Sequence, residues 1–297
     1  MTRSLIIAVL LATTGVAAQA QTRVGPEIAY STATEIYLVN PDGSAKIRLY
    51  RSRSNDFISS VALKPGGGTI AFVENWALKF LDYNSTGQLV GTVRTIRPDC
   101  YRLADVHYHP DAQSVIYRDL CGGNGKVKRV AVPLSTTDAP VPTFLFNDSR
   151  IQDLGPMAPD GRSFIYTLST ETQMELRRHY VDGTADPVGP LATATTTQVR
   201  YPDISHDGAK ILFSDSPLAT TAYPGAGFTN EIDSTSGAPV RTNFIPGRWA
   251  RYAPGDQKIV FIAYKSYNER YLRYLDENNQ VKQIGGKGIY VSVDWGD

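Results

Sequence analysis

Short apolar runs alternate with polar turns along this chain, and one such pattern recurs at near-equal spacing. The stretch YPDISHDGAKILFSDS, residues 201–216, places a polar turn between two apolar runs, which is typical of a β-hairpin. Related stretches begin at Val61, Val106, Gly155, Pro202 and Ala250, with a truncated copy, VSVDWGD, from Val291. The first turn position falls on Pro65, Pro110, Pro159, His206, Pro254 and Trp295, at intervals of 45, 49, 47, 48 and 41 residues. A period of this size indicates a repeat architecture.

Each copy combines the same turn chemistry with a second hairpin. Proline presets φ in the Pro-Asp-Gly turn, and glycine accepts the positive φ that a tight turn requires. A β-rich run follows, and a further hairpin begins about ten residues later, as at Glu35, Ala77, Glu175 and Arg270. Two hairpins make four antiparallel strands per repeat, and no segment after residue 20 has sustained helical periodicity. The pattern predicts an all-β propeller of four-stranded blades.

The two ends of the chain complete one another. The truncated sixth copy supplies only an inner strand, predicted over 289–293. The run at 27–31 resembles the strand that normally follows the polar turn, and it leads into the hairpin from Glu35. We therefore expect six blades, the last closed by pairing of N- and C-terminal strands, which removes exposed sheet edges.

The repeat ΦxΦS-PDG-xxΦxF followed by xΦYΦxxxDG resembles the TolB-type, WD40-like (PD40) β-propeller repeat, and it covers residues 25–297. That resemblance implies a six-bladed TolB-like propeller of the kind found in bacterial periplasmic TolB and in other exported proteins. It implies a binding or scaffolding module of the bacterial envelope, although one propeller fold hosts many activities.

The first twenty residues predict a signal peptide rather than part of the fold. Arg3 provides a basic start, residues 5–11 an apolar core, and Ala18-Gln19-Ala20 a small-x-small cleavage motif. The apolar stretch is too short for a stable membrane-spanning helix. We expect a propeller domain over 21–297, a periplasmic or secreted location, and no membrane span in the mature chain.

The chain has two cysteines, Cys100 and Cys121. An even count in an exported protein favours a disulfide, whereas two free buried thiols are the alternative. Both residues flank the predicted hairpin around Asp111 at the same end. A bond there would join facing positions at the mouth of a single blade.

Charge and motifs exclude several classes of function. The formal net charge is +1 with no basic cluster, so nucleic acid is not an expected partner. The sequence has no G-x-S-x-G elbow and no Walker or dinucleotide-binding loop. These absences favour binding over catalysis, and no cofactor is expected.

One strand offers an alternative with metal chemistry. Asp105, His107 and His109 alternate along a predicted inner strand, so a regular strand places all three on one face. Carboxylate and imidazole can hold Zn²⁺ or another divalent metal. This set is the basis for a second hypothesis, a channel-centred metal-dependent enzyme of the lyase, hydrolase or lactonase type. The other interpretation is hydrogen bonding to neighbouring blades.

The leading hypothesis places a ligand at the central funnel. Positions five and six residues before each turn are expected to ring the channel mouth, and they include Asp105, Asp153, Arg200, Tyr201, Arg248, Trp249 and Tyr290. Arginine and aromatic side chains are typical of binding hot spots and stacked ligands. Packing of these aromatics between blades is the alternative. We expect a monomer that binds an envelope protein, a peptide segment or a small polar ligand.

Overall fold

A computed structural model of the chain describes residues 27–96, 102–123, 125–217, 227–266 and 269–296. The first twelve strands are β1 (Glu27–Thr32), β2 (Glu35–Val39), β3 (Ile47–Arg51), β4 (Ile58–Leu63), β5 (Thr69–Glu74), β6 (Ala77–Tyr83), β7 (Leu89–Ile96), β8 (Leu103–Tyr108), β9 (Ser114–Asp119), β10 (Lys126–Ala131), β11 (Thr143–Asn147) and β12 (Ile151–Met157). The next twelve are β13 (Ser163–Ser169), β14 (Met174–Tyr180), β15 (Ala192–Ala194), β16 (Thr197–Ile204), β17 (Lys210–Pro217), β18 (Phe228–Asp233), β19 (Pro239–Pro246), β20 (Arg248–Tyr252), β21 (Ile259–Ser266), β22 (Glu269–Leu275), β23 (Val281–Gln283) and β24 (Tyr290–Gly296). A 3-10 turn spans Cys121–Gly123.

The strands form six antiparallel sheets of four strands each, the blades of a propeller. Blades 1 to 5 are β4–β7, β8–β11, β12–β15, β16–β19 and β20–β23, and blade 6 is β24 with β1, β2 and β3. The predicted all-β fold, its blade number and its four-stranded blades are confirmed. Within the described ranges, no helix is long and apolar enough to cross a membrane.

Blade 6 is assembled from both ends of the described chain. Strand β24 pairs antiparallel with β1, and Ile28 lies opposite Trp295 while Tyr30 lies opposite Val293. The predicted closure by N- and C-terminal strands is therefore confirmed. The observed inner strand extends to Gly296, three residues beyond the predicted end at residue 293.

The hydrophobic core is divided among the junctions between blades. Phe80 of blade 1 clusters with Val106 and Tyr117 of blade 2, and Ile165 of blade 3 clusters with Val199 of blade 4. Burial of each large side chain contributes about 1.5–3 kcal/mol, so most of the stabilisation lies between neighbouring sheets. Each sheet therefore packs against a neighbouring blade on both faces. The first strand of every blade lies nearest the axis.

The first strands of the six blades, β4, β8, β12, β16, β20 and β24, contact one another in a closed ring around the axis. Irregular pairing near the beginning of these strands is a shared feature. Examples lie between Ala104 and Val106 in β8 and between Arg248 and Arg251 in β20. Such bulges re-aim side chains locally, and they place Asp105, Tyr201 and Trp249 at positive φ.

Two sequence predictions fall outside the described part of the chain. The signal peptide at residues 1–20 lies there, so its cleavage stays a prediction. Cys100 lies there as well, whereas Cys121 opens the 3-10 turn after β9. The Cys100–Cys121 disulfide also stays a prediction.

Candidate functional site

The ring of first strands encloses an axial channel with two different ends. All six strands run in the same direction along the axis. We call the end at which they begin the start mouth, marked by the first residues of β8, β16 and β20. The end at which they finish, beside the Pro-Asp-Gly turns, is the turn mouth. Each channel side chain can be assigned to one of these ends.

Side chains of one first strand accept backbone hydrogen bonds from the next first strand. The donors and acceptors are Val61 N to Ser292 Oγ, Leu63 N to Asp294 Oδ2, Val106 N to Ser60 Oγ, Leu154 N to Asp105 Oδ2, Tyr201 N to Asp153 Oδ2, and Tyr252 N to Asp203 Oδ2. The distances are 2.7–3.3 Å. These bonds satisfy buried amide groups that have no partner within their own sheet, so they hold the blades in register.

Ion pairs between and within blades occupy much of the start mouth. Asp153 receives a bidentate contact from Arg200, with Nη2 2.8 Å from Oδ1. Although burial disfavours its charge, the Arg200 guanidinium holds the pKa of Asp153 below its usual range. Asp105 pairs with Arg118 at 2.9 Å, but burial outweighs this cation and raises the pKa of Asp105. Both predicted funnel acids are thus committed to partners of this chain.

Three aromatic rings stand beside the arginines at the same mouth. Tyr201 stacks on Trp249 with centroids 4.1 Å apart, and Trp249 stacks on Tyr264 at 6.1 Å. Arg248 is 8% exposed and lies 5.8 Å from the centroid of Tyr264. Among the described residues Arg248 forms no ion pair, in contrast to Arg200. The structure therefore brings together the predicted arginine and aromatic residues of blades 4 and 5.

Tyr290 occupies a different place from the one the repeat predicted. Its side chain is 3% exposed, its ring contacts that of Tyr30 at 5.2 Å, and its hydroxyl donates to the Gly286 carbonyl. Ser292 instead makes the contact equivalent to that of Ser60 in blade 1. The sixth copy is therefore offset by two residues from the predicted alignment. Tyr290 packs within the blade 5–6 junction.

The turn mouth contains a cavity of about 260 Å³. All six blades contribute to its wall. The lining residues are Leu63, Pro65, His107, Tyr108, Pro110, Pro156, Met157, Pro159, Asp203, Ile204, Ser205, His206, Tyr252, Asp294, Trp295 and Gly296. Exposed prolines and His206 form the rim, while acids and aromatic rings lie deeper. A mostly apolar concavity with a few convergent polar groups is typical of a ligand site.

Buried ionisable side chains form one layer at the base of this cavity. Asp203 is 6% exposed, and burial raises its pKa to about 6, despite Arg251 with Nε 4.0 Å away. Burial also raises the pKa of Asp294. Burial, reinforced by Arg251, lowers the pKa of His107 to about 3, so its imidazole is neutral. The sequence reasoning missed Asp203, Arg251 and Asp294, although all three lie at equivalent repeat positions.

The predicted metal set does not form a common face. Because β8 is bulged at Asp105, Leu103 and Val106 enter the same hydrophobic cluster, and the two-residue alternation is lost. His107 Nε2 is 2.9 Å from the Leu154 carbonyl, which can only accept, so Nε2 carries the proton. His109 instead contacts Asp111 in the following turn, at 3.1 Å. In the described part of the chain, no group of three metal-binding side chains is found.

No family model matches the sequence, and no curated protein sequence matches it. Solved structures do resemble the fold. TolB from Acinetobacter baumannii has 20% sequence identity and a TM-score of 0.68, covering 91% of this chain and 66% of that one. A TolB-type protein from Agrobacterium tumefaciens has 15% identity and a TM-score of 0.66, covering 87% and 91%. A puromycin hydrolase has 16% identity and a TM-score of 0.51, covering 90% and 48%. The chain adopts a TolB-like six-bladed propeller fold.

Proposed function

We propose that this protein is an exported, non-catalytic propeller that binds an envelope protein, a peptide segment or a small polar ligand at its channel. The observation that carries the proposal is the turn-mouth cavity, to which every blade contributes. Its volume suits one side chain or a small polar molecule rather than a folded domain. A partner would therefore insert a segment into the cavity and rest on the rim.

The chemistry of the cavity supports binding rather than catalysis. His107 uses Nε2 to hold the backbone of blade 3, and its low pKa disfavours a proton-shuttling role near neutral pH. Asp203 and Asp294 each accept a backbone N–H from the next blade. These groups are fixed in place by the propeller itself, and fixed polar groups are suited to orienting a ligand.

A pull-down from envelope extract tests the proposal. Pro110 and Pro159 are exposed on the rim, so the double variant Pro110→Arg/Pro159→Arg narrows the mouth without disturbing the core. Pro239→Arg is the matched control, because Pro239 is an exposed proline on the outer edge of blade 4. We expect wild type and the control to capture the same partners and the double variant to lose them. Identical partners for all three proteins would contradict binding at the turn mouth.

The channel-centred metal-dependent enzyme is the second candidate: a puromycin hydrolase shares the fold over 48% of its own chain, although Asp105, His107 and His109 do not share one face. It requires a metal in the channel of the purified protein. Elemental analysis separates the candidates: a stoichiometric divalent metal lost on replacing His107 favours the enzyme. A metal content below stoichiometry favours the binding module.

The proposed export has its own test. N-terminal sequencing of the mature protein from a cell fraction is expected to begin at Gln21 in the periplasm or the medium. A product that retains residues 1–20 and stays in the cytoplasm would contradict an envelope function. The same preparation, run on a sizing column, tests the expected monomer.

A further inference from the structure

Arg248 is a buried cation without a carboxylate partner. Its residue is 8% exposed, and its Nε is enclosed and has no hydrogen-bond partner in the described part of the chain. Every other predicted funnel charge is compensated: Arg200 by Asp153 and Asp105 by Arg118. An uncompensated guanidinium away from water is costly, so its place in the fold requires a reason.

Within the described part of the chain, Arg248 forms no ion pair with a carboxylate, although Asp215 lies nearby, and aromatic rings stand beside it. Burial lowers the pKa of Arg248, and the titratable groups that act on it are Tyr201, which it also hydrogen-bonds, Tyr264 and Arg200. No carboxylate of the described residues is in ion-pair contact with this positive charge.

The backbone beside Arg248 is also shaped around it. A Cβ built on Gly227 would lie 2.9 Å from Arg248 Nε and 2.7 Å from the Asp215 carbonyl. Any side chain at position 227 would clash with the Asp215 carbonyl, so glycine is required there, and the Arg248 guanidinium lies beside it. Arg248 hydrogen-bonds Tyr201, whose ring stacks on Trp249.

We propose that Arg248, with the stacked rings of Tyr201 and Trp249, forms a carboxylate-binding site at the start mouth. A guanidinium presents paired N–H donors that match the two oxygens of a carboxylate. The neighbouring rings offer a flat apolar surface for the group that carries it. The ligand class is an acid with an apolar or aromatic body, either a small molecule or the C-terminal or side-chain carboxylate of a peptide.

This inference rests on the proposed function only in taking the channel as the binding surface. It concerns the mouth opposite the 260 Å³ cavity, and its test needs no envelope partner. The pull-down with the rim variant tests the proposed function, and acid binding tests the site at Arg248. Either result can be negative without affecting the other. A peptide with a free C-terminus, compared with its C-terminal amide, then distinguishes the sources of the carboxylate.

Benzoate and its neutral isostere benzamide are the probes. We expect benzoate to bind the full mature protein with millimolar or tighter affinity by calorimetry, and benzamide not to bind. Arg248→Met keeps the length of the side chain but removes the charge, and we expect it to weaken benzoate binding at least about tenfold. Failure of benzoate to bind wild type, or equal binding to both proteins, would overturn the proposal.

Thermal unfolding without ligand supplies a readout that does not depend on the probe. Because Arg248 has no anionic partner to orphan, Arg248→Met is expected to keep or raise the melting temperature. Arg200→Met is the matched control, and it should lower the melting temperature because it leaves Asp153 buried and unpaired. A loss for Arg248→Met as large as that for Arg200→Met would show an internal partner and overturn the proposal.

Discussion

The two mouths of the channel treat equivalent carboxylates differently. At the start mouth Asp153 faces the bidentate guanidinium of Arg200, and its pKa lies below the usual range. At the turn mouth Asp203 is as deeply buried, but Arg251 is 4.0 Å away and the pKa rises to about 6. Both acids accept a backbone N–H from the next blade. Both acids are buried; the bidentate Arg200 offsets burial at Asp153, whereas Arg251 at 4.0 Å does not offset it at Asp203.

Most charged groups of the start mouth are paired with one another, whereas those of the turn mouth line a cavity. At the start mouth, the Arg200–Asp153 ion pair joins blades 3 and 4, the Arg118–Asp105 pair lies within blade 2, and Arg248 forms no ion pair with the described residues. At the turn mouth, burial raises the pKa values of Asp203 and Asp294, so their ionisation destabilises the folded protein. Both residues line the cavity. Groups that are poorly compensated in the free protein are those that a ligand can stabilise, which is a common signature of functional sites.

The largest expected effect on stability comes from removing the Arg200–Asp153 ion pair at the start mouth. Asp153→Ala removes the partner of Arg200 and the acceptor for Tyr201 N, leaving a half-buried guanidinium unpaired. We expect the free energy of unfolding to fall by about 3–5 kcal/mol in urea denaturation. Glu277→Ala, which breaks the exposed Lys258–Glu277 pair, should cost less than about 1 kcal/mol. Equal losses would show that the buried pair does not hold the blades together.

The buried acids of the turn mouth should change how the free energy of unfolding depends on pH. Because the pKa of Asp203 rises from 3.8 to about 6 on folding, the folded state binds this proton more tightly. The contribution is fully present below pH 3.8 and is lost as the pH rises through about 6. In wild type, Asp203 should lower the free energy of unfolding by about 1–3 kcal/mol as the pH rises across this range. Urea denaturation of Asp203→Asn should not show this contribution.

The difference in pH dependence between wild type and Asp203→Asn is the quantity that tests this prediction. Asn can still accept the Tyr252 N–H, so the contact between blades is retained in the variant. Asp294, whose pKa is raised in the same direction, leaves part of the slope in place. The same pH dependence of unfolding free energy in wild type and Asp203→Asn between pH 4 and pH 6 would contradict the raised pKa of Asp203 and the description of the turn mouth.

A smaller effect is expected at the rim of the turn mouth. Asp256 accepts hydrogen bonds from the backbone amides of His206 and Asp207 at 2.7 and 2.9 Å, which links the turns of blades 4 and 5. The contact is largely exposed, so Asp256→Ala should cost about 1 kcal/mol in thermal or urea unfolding. Asp182→Ala, which removes a local turn contact to Thr184, is the control. A loss no greater than in this control would show that the rim turns are independent.

The sequence was sufficient for the fold because its signals are local and repeated. Short turns rich in Pro, Asp and Gly recur beside apolar runs in blades 1 to 5, and strands β24 and β1, from the two chain ends, complete blade 6. The alignment of the sixth copy was less secure, because its truncated sequence has Trp295 at the position where the other copies have proline or histidine. Tyr290 was therefore assigned to a position that Ser292 occupies.

The site was only partly predictable, because it depends on bulges and on contacts between blades. A bulge at Asp105 breaks the alternation on which the Asp105, His107 and His109 set relied. The layer of Asp203, Arg251 and Asp294 forms across separate repeats, and single-strand periodicity contains no information about such pairs. The clustering of Arg248 with Tyr201 and Trp249 was anticipated, since neighbouring copies place these residues at equivalent positions.

Site-specific photo-crosslinking tests the binding role of the turn mouth most directly. A benzoylphenylalanine at position 159 stands on the rim, and one at position 240 stands on the outer edge of blade 4, where Val240 is exposed. We expect irradiation in envelope extract to give a discrete adduct from position 159 and none from position 240. Adducts from position 240 alone, or equal adducts from both positions, would contradict binding at the turn mouth.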